Sequence, residues 1–210
     1  MAANWPYGVR FGRRGYAARA HLPPSQHQVP QGNQNRSRYR DSLIPMELSQ
    51  VIKERRTIKD FNGQPVPDEL LDRALEAGLW AQNHRLTQPW RFTILGETTK
   101  ARLAQDFPKI ASKPVVVAVS CLHSDGGEQE REDYAAVACA IQNIQLEAWN
   151  EGLGMQWSSG KMSTGSHLHE LLEVDAEREF FVGLLFFGFP LEIPAARARK
   201  PLAEVSKRLP

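Results

Sequence analysis

The chain has 210 residues, 41% hydrophobic and 24% charged, the composition of an ordinary folded domain with a substantial core. Its longest apolar run, Phe180 to Phe189, fits a buried strand and is too short to cross a bilayer, so no membrane role is expected. The formal charge of +2 is uneven: residues 1–45 carry seven arginines and one acid, Asp41, and subtracting that +6 leaves −4 for residues 46–210, which gives the body no electrostatic basis for binding nucleic acid.

Residues 1–45 are rich in Arg, Gln, Asn, Gly and Pro and show no sustained apolar period, so they read as a flexible basic tail ahead of one domain over 46–210. The tail is arginine-rich and acid-poor like a transit peptide, but it lacks an amphipathic run. Met46 opens a clean helix, which makes it a candidate natural start with the tail as an upstream extension. That helix runs to Arg56 with Leu48, Val51 and Ile52 on one face.

Pro67-Asp68 starts a second helix, with Leu71, Ala74, Leu75 and Leu79 at helical spacing, which runs out near Trp80. A polar loop, Gln82 to Pro89, follows. Trp90 to Leu95 reads as a strand ended by Gly96, and Glu97 to Phe107 as a short helix. The β-branched run Pro114 to Leu122 is a central strand, and His123 to Gly127 is a loop. Glu132 to Gly152 is the longest helix: Val137, Ile141, Ile144 and Ala148 form a stripe, and alanines 135, 136, 138 and 140 make other faces apolar. A helix apolar nearly all round is buried in a core or against another subunit. Met155 to Ser159 is a strand, Ser166 caps a helix through Val174, and Phe181 to Gly188 is a second buried strand. Pro190, Pro194, Pro201 and Pro210 mark an extended C-terminal arm.

Alternating helices and strands, with antiparallel pairings open, make the class α+β or α/β. Cys121 and Cys139 lie inside apolar segments and read as buried thiols in a reducing compartment, hence a cytoplasmic protein. Several familiar motifs are absent. Gly154 to Lys161 has five residues between its glycines rather than four, and Met162 stands where a nucleotide-binding loop needs Ser or Thr. No G-x-G-x-x-G follows a strand. The pairs Cys121/His123 and His167/His169 do not form a metal set, and Ser158-Ser159 lacks the strained elbow of a serine hydrolase.

Glu54-Arg-Arg-Thr-Ile-Lys-Asp-Phe61 remains as the chemical centre. Three cations and a hydroxyl within five residues suit a phosphate and a polar ring, although a solvated basic helix end has the same composition. This stretch, together with Asn83-His-Arg-Leu-Thr-Gln-Pro-Trp-Arg-Phe92 and Gly154-Met-Gln-Trp-Ser-Ser-Gly160, resembles the FMN-dependent nitroreductase superfamily, in particular its short single-domain bacterial members. The three motifs fall in the family's order.

The resemblance implies an α+β fold with a central, mostly antiparallel sheet flanked by helices. It also implies a homodimer that binds FMN in the subunit interface, with NADPH or NADH as reductant. By motif position Arg55 and Thr57 hold the ribityl-phosphate, beside Arg56, and Lys59 faces the flavin N1 and C2 carbonyl. His84 reaches the partner's flavin, with Trp80 one helical turn before it. Trp157, Ser158 and Ser159 pass the isoalloxazine, and Arg197 and Arg199 close on the phosphate. Leu86 departs from the asparagine of many larger members, and Trp-Ser-Ser replaces a longer acidic segment.

The residues agree in kind. FMN is a planar dianion, and each charge-assisted hydrogen bond to its phosphate is worth roughly 1.5–3 kcal/mol. The implied activity is ping-pong transfer from NAD(P)H through the flavin to a nitroaromatic, quinone or similar small electrophile, with no catalytic side chain and no metal. The competing readings are a flavin storage or sensor protein, a flavin-fragmenting enzyme of the same fold, and an arginine-tailed nucleic-acid adaptor.

Overall fold

A four-stranded sheet made from the β-branched and aromatic runs organises the residues that the computed structural model describes: 47–124, 126–159 and 166–210. The tail over 1–45, Met46 and the Gly160–Lys161 end of the glycine-bounded stretch lie outside the described residues, as do the side chains of Ser166 and His167. The strands are β1 (Trp90–Ile94), β2 (Val115–Leu122), β3 (Gly154–Ser158) and β4 (Glu179–Gly188). They lie in the order β1-β2-β4-β3, and every neighbouring pair is antiparallel. The helices are α1 (Leu48–Glu54), α2 (Asp68–Leu79), α3 (Glu97–Asp106), α4 (Gly127–Asn150), α5 (Ser166–Leu171) and α6 (Leu202–Val205).

Side chains alternate across β2, and each face feeds its own core. Val117, Val119 and Cys121 join Leu71 and Ala74 of α2 and Ala140, Ile141 and Ile144 of α4. Val116 and Ala118 point the other way, onto Leu103 of α3, Ile110, and Leu168 and Leu171 of α5. Helices therefore cover both faces, which is why β2 and β4 read as continuous apolar runs rather than alternating ones. Each fully buried Leu, Val or Phe here contributes about 1.5–3 kcal/mol of transfer free energy.

The alternation of β4 breaks once. Phe181, Leu184 and Phe186 face one core, whereas Val182, Leu185 and Phe187 face the other. Val119 pairs with Gly183 and Ser120 with Phe181, so Val182 is an extra residue and β4 bulges there. Gly183 takes φ +154°, and a Cβ on it would meet the Ser158 carbonyl oxygen and Trp157 Nε1, each at 2.7 Å. The bulge thus brings the end of β3 close against β4, and only glycine leaves room for it.

Element bounds differ from expectation where local periodicity was a poor guide. The first helix stops at Glu54 instead of Arg56, and of its expected face only Val51 is buried; Leu48 and Ile52 are 67% and 51% exposed. The longest helix begins at Gly127 rather than Glu132. Residues 127–131 lack an apolar period, but Glu128 and Glu130 suit the positive end of the helix dipole. Its buried stripe includes Asp133 and Gln145, and Ala135 is exposed, so α4 is not covered all round. The helix α5 ends at Leu171 rather than Val174, and the C-terminal arm holds the short α6. Cys121 is buried as expected, but Cys139 is only partly so.

Gly183→Ala is expected to destabilise the domain by about 1–3 kcal/mol through overpacking at the bulge. The check is a lower urea midpoint at unchanged m-value. An unaltered midpoint would show that the bulge tolerates a Cβ.

Candidate functional site

The stretch after α1 leaves the helix and lies along the sheet. Arg55 is the C-cap residue, its amide bonded to the Val51 carbonyl at 2.9 Å and its backbone already extended. Thr57 forms a parallel bridge with Met155 of β3, and the Ile58 amide donates to the Met155 carbonyl at 3.1 Å. Gly154 makes this approach possible, because a Cβ there would lie 2.6 Å from the Ile58 side chain. Farther on, Phe61 bridges Pro190, the Asn62 amide donates to Phe189 O, and the Leu191 amide donates to Asp60 O. Residues 57–62 are therefore an extended strip laid across β3 and the end of β4. Alternation along it buries Ile58 and leaves Thr57 and Lys59 exposed.

Arg55 and Arg56 sit where the strip begins. Arg56 Nη1 donates to the carbonyls of Lys53 (2.8 Å) and Arg55 (2.9 Å), satisfying the open end of α1. The Nε–H groups of both arginines are buried with no hydrogen-bond partner. Burial pushes the Arg55 guanidinium below its ordinary pKa, and the nearby charges of Arg199 and then Arg56 push it further. Arg199, on the C-terminal arm, donates through Nη1 to the Arg197 carbonyl at 3.1 Å. None of these arginines forms an ion pair with a carboxylate among the described residues. Like charges gathered without an acid, with two unpartnered donors, form a cradle whose chemistry suits an anion.

The residues expected at the ring fall into two groups. Trp157 lies at the end of β3, partly buried, and its Nε1–H is buried without a partner beside Gly183. Ser158 ends that strand, and Ser159 is exposed. Of the strip, Thr57 bridges β3 at Met155, two residues before Trp157, whereas Lys59 lies farther along, where the strip leaves β3 for the end of β4. Trp80 and His84 stand elsewhere. Trp80 is the C-cap of α2, 87% exposed, and borders an open apolar groove with Leu48, Val51, Ala77 and Leu146. His84 Nε2 lies 3.9 Å from a Glu132 carboxylate oxygen at the edge of α4. No hydrogen bond or ion pair joins this second group to the arginine cradle among the described residues.

The loop that carries His84 is strained and pinned. Arg85, Leu86 and Gln88 have φ of 60°, 54° and 46°, left-handed conformations that cost of order 1–3 kcal/mol each outside glycine. Asn83 accepts the Gln88 amide at 2.6 Å and donates to Thr87 Oγ1 at 2.9 Å. The Thr87 hydroxyl donates to Asp133 Oδ1 at 2.6 Å, and Gln129 Nε2 donates to the same oxygen at 3.0 Å. Asp133, 2% exposed, thus anchors the loop from below. Sequence reasoning missed this residue. The available signal was an acid at a core position of α4, three and four residues before Ala136 and Val137.

Cys121 takes no part. Burial, with Asp133 and Glu130 nearby, pushes its thiol up to about 12, which keeps it protonated and non-nucleophilic at neutral pH.

Known proteins share the sequence pattern and the fold of this chain. Residues 52–120 and 102–189 match the model of the nitroreductase family. The Bacillus subtilis protein YfhC, whose name designates it an NAD(P)H nitroreductase, is 33% identical over 178 residues, covering 75% of this chain and 91% of that protein. A nitroreductase-like family protein from Bacillus cereus has the same fold at a TM-score of 0.69 with 28% identity, covering 78% of this chain and 96% of its own. A Desulfovibrio desulfuricans protein crystallised as a nitroreductase in complex with FMN gives 0.69 and 27%, with the same two coverages. With motif order, fold and extended similarity in agreement, this chain belongs to the nitroreductase family.

Proposed function

We propose that this protein is an FMN-dependent NAD(P)H oxidoreductase that passes electrons by a ping-pong route to a nitroaromatic, quinone or similar flat electrophile. The observation that carries the reading is the cradle of Arg55 and Arg56, whose buried Nε–H groups have no partner, with Arg199 beside them and no acid paired to any of the three. A phosphate dianion supplies both the missing acceptors and the missing charge. The NAD(P)H nitroreductase designation of YfhC supports the reductant, and the FMN complex of the Desulfovibrio protein supports the cofactor.

When bound, FMN supplies the redox chemistry, receiving a hydride from NAD(P)H and delivering electrons to the acceptor at one ring face. The chain's own residues do the rest. Arg55, Arg56 and Thr57 hold the phosphate end, and Arg197 and Arg199 close on it from the C-terminal arm. Lys59, exposed on the strip, holds a positive charge where negative charge collects on reduction. Trp157, Ser158 and Ser159 line the ring's edge. No side chain has to act as nucleophile or general base.

The site is completed by a second copy of the chain. Leu48, Ile52, Leu79 and Trp80 are each at least half exposed, an unusual density of large apolar side chains for helices α1 and α2 of a monomer. Packing two such faces together covers them and carries Trp80 and His84 toward the partner's flavin. Two free thiols fit a reducing, cytoplasmic setting.

The primary test is a visible spectrum of the purified protein before and after NADPH, followed by steady turnover with a quinone or nitroarene. A flavin spectrum that bleaches and recovers as acceptor is consumed supports the reading. Flavin held without turnover marks a storage protein, and permanent loss of the yellow colour in air marks fragmentation.

Sedimentation of the FMN-bound protein should give twice the 23.7 kDa chain mass at micromolar concentration. A monomer mass would remove the shared site.

The roles of Arg55 and Lys59 separate by redox state. Arg55→Ala should weaken oxidised and reduced flavin alike, by roughly tenfold to a hundredfold in dissociation constant, because the phosphate charge does not change. Lys59→Met should instead lower the midpoint potential and slow reduction by NAD(P)H. Spectroelectrochemical titration of both variants checks this, and the reverse pattern would reverse the assignment.

His84→Ala should change FMN affinity or turnover without lowering the thermal midpoint, since its side chain is largely exposed. Unaltered FMN affinity and kinetics would make it a plain surface histidine.

A further inference from the structure

Lys113 is a buried lysine, 8% exposed, at the junction between the turn Pro108–Ser112 and β2. Its ammonium donates to the Lys59 carbonyl at 2.6 Å. It also lies 5.4 Å from the ring centre of Phe61 and 5.8 Å from that of Phe186. No carboxylate pairs with it among the described residues. Burial lowers its pKa, attraction to Asp60 offsets part of the effect, and Lys109 adds to it. A charge in this slot is therefore costly, and the similarly sized methionine would fill the space between the two rings without that penalty. What offsets that cost is specific to a cation: the hydrogen bond to the Lys59 carbonyl and the two aromatic faces beside the ammonium.

The hydrogen bond points to its role. The Lys59 peptide lies in the extended strip, between the Ile58–Met155 hydrogen bond and the bonds of Asp60 and Asn62 to the end of β4. Lys113 fixes the carbonyl in the middle of that span. Alternation along the strip then directs the Lys59 side chain away from the core, since neighbouring Ile58 is buried. Left to itself, an exposed lysine samples many rotamers; a rigid backbone beneath it narrows the volume its charge can occupy.

We propose that Lys113 is a positioning residue for electron transfer, its buried ammonium clamping the Lys59 peptide so that the Lys59 charge is held at the reducible end of the flavin ring. This rests on the site assignment above. In this role Lys113 acts through Lys59 and touches neither cofactor nor acceptor.

The test is a double-mutant cycle on the full-length FMN-bound protein: wild type, Lys113→Met, Lys59→Met and the double variant. The readouts are the dissociation constant for oxidised FMN, by fluorescence quenching, and the midpoint potential, by spectroelectrochemistry. Lys113→Met is expected to leave oxidised FMN affinity within a few-fold and to reduce the preference for reduced over oxidised flavin by about tenfold, the scale of one hydrogen bond to a charged group. In the Lys59→Met background the same substitution should add nothing. An additive shift in the double variant overturns the proposal, because Lys113 then acts directly, and so does an unchanged potential in Lys113→Met. Should Lys113→Met not fold, Lys113→Gln, still polar but one atom too short for the 2.6 Å contact, runs the same cycle with the same criteria. Wild-type protein that does not retain FMN, or a Lys59→Met variant of wild-type potential, overturns the site assignment itself along with this inference.

Discussion

The arrangement depends on how the strip after α1 docks on the sheet. One backbone bond, Ile58 N–H to Met155 O at 3.1 Å, and one close approach, Ile58 over Gly154, fix its register against β3. Register decides everything downstream, because a slip of one residue would bury Thr57 and Lys59 and expose Ile58. Gln145 of α4 donates to the same Met155 carbonyl at 3.4 Å, so the longest helix also supports that contact. The strip is thereby tied to both the sheet and the helical layer behind it.

That rigidity allows the fold to hold charges together. Arg55, Arg56 and Arg199 repel one another, and two of their donors are buried without acceptors, which is unfavourable in isolation. Arg56 offsets part of the cost by bonding carbonyls at the end of α1. The remainder is carried by the surrounding core, and an anion would relieve it. Arg55 and Arg56 are only partly exposed, whereas Arg199 stays exposed on the C-terminal arm, so the cluster sits at the surface with its Nε–H groups turned inward.

The His84 loop follows the same pattern by another route. Its three left-handed residues are sustained by a buried carboxylate that takes hydrogen bonds from Thr87 and Gln129. Hydrogen bonds to a buried charge are worth about 1.5–3 kcal/mol each, comparable with the strain they oppose. Residues 84–88 are all exposed, so the strain they hold serves no packing of the core.

Local chemistry made much of this legible from the chain alone. The β-branched and aromatic runs identified β2 and β4, helical spacing identified α2, and the clustered cations identified the start of the strip, because each signal lies within a few adjacent residues. The family resemblance rested on motifs equally short. Tertiary structure decided what depends on the path of the chain. It brought Arg199 beside Arg55, set Asp133 beneath Thr87 and placed Lys113 under Lys59, pairs far apart in sequence whose meeting no local propensity encodes. It also shifted β4 by one residue at Val182, since a bulge arises from pairing two strands and the tight packing of a third, here through Gly183. Leu48 and Ile52 mark the same divide: their spacing forms a helical face, but whether a face is covered is a property of what packs against it.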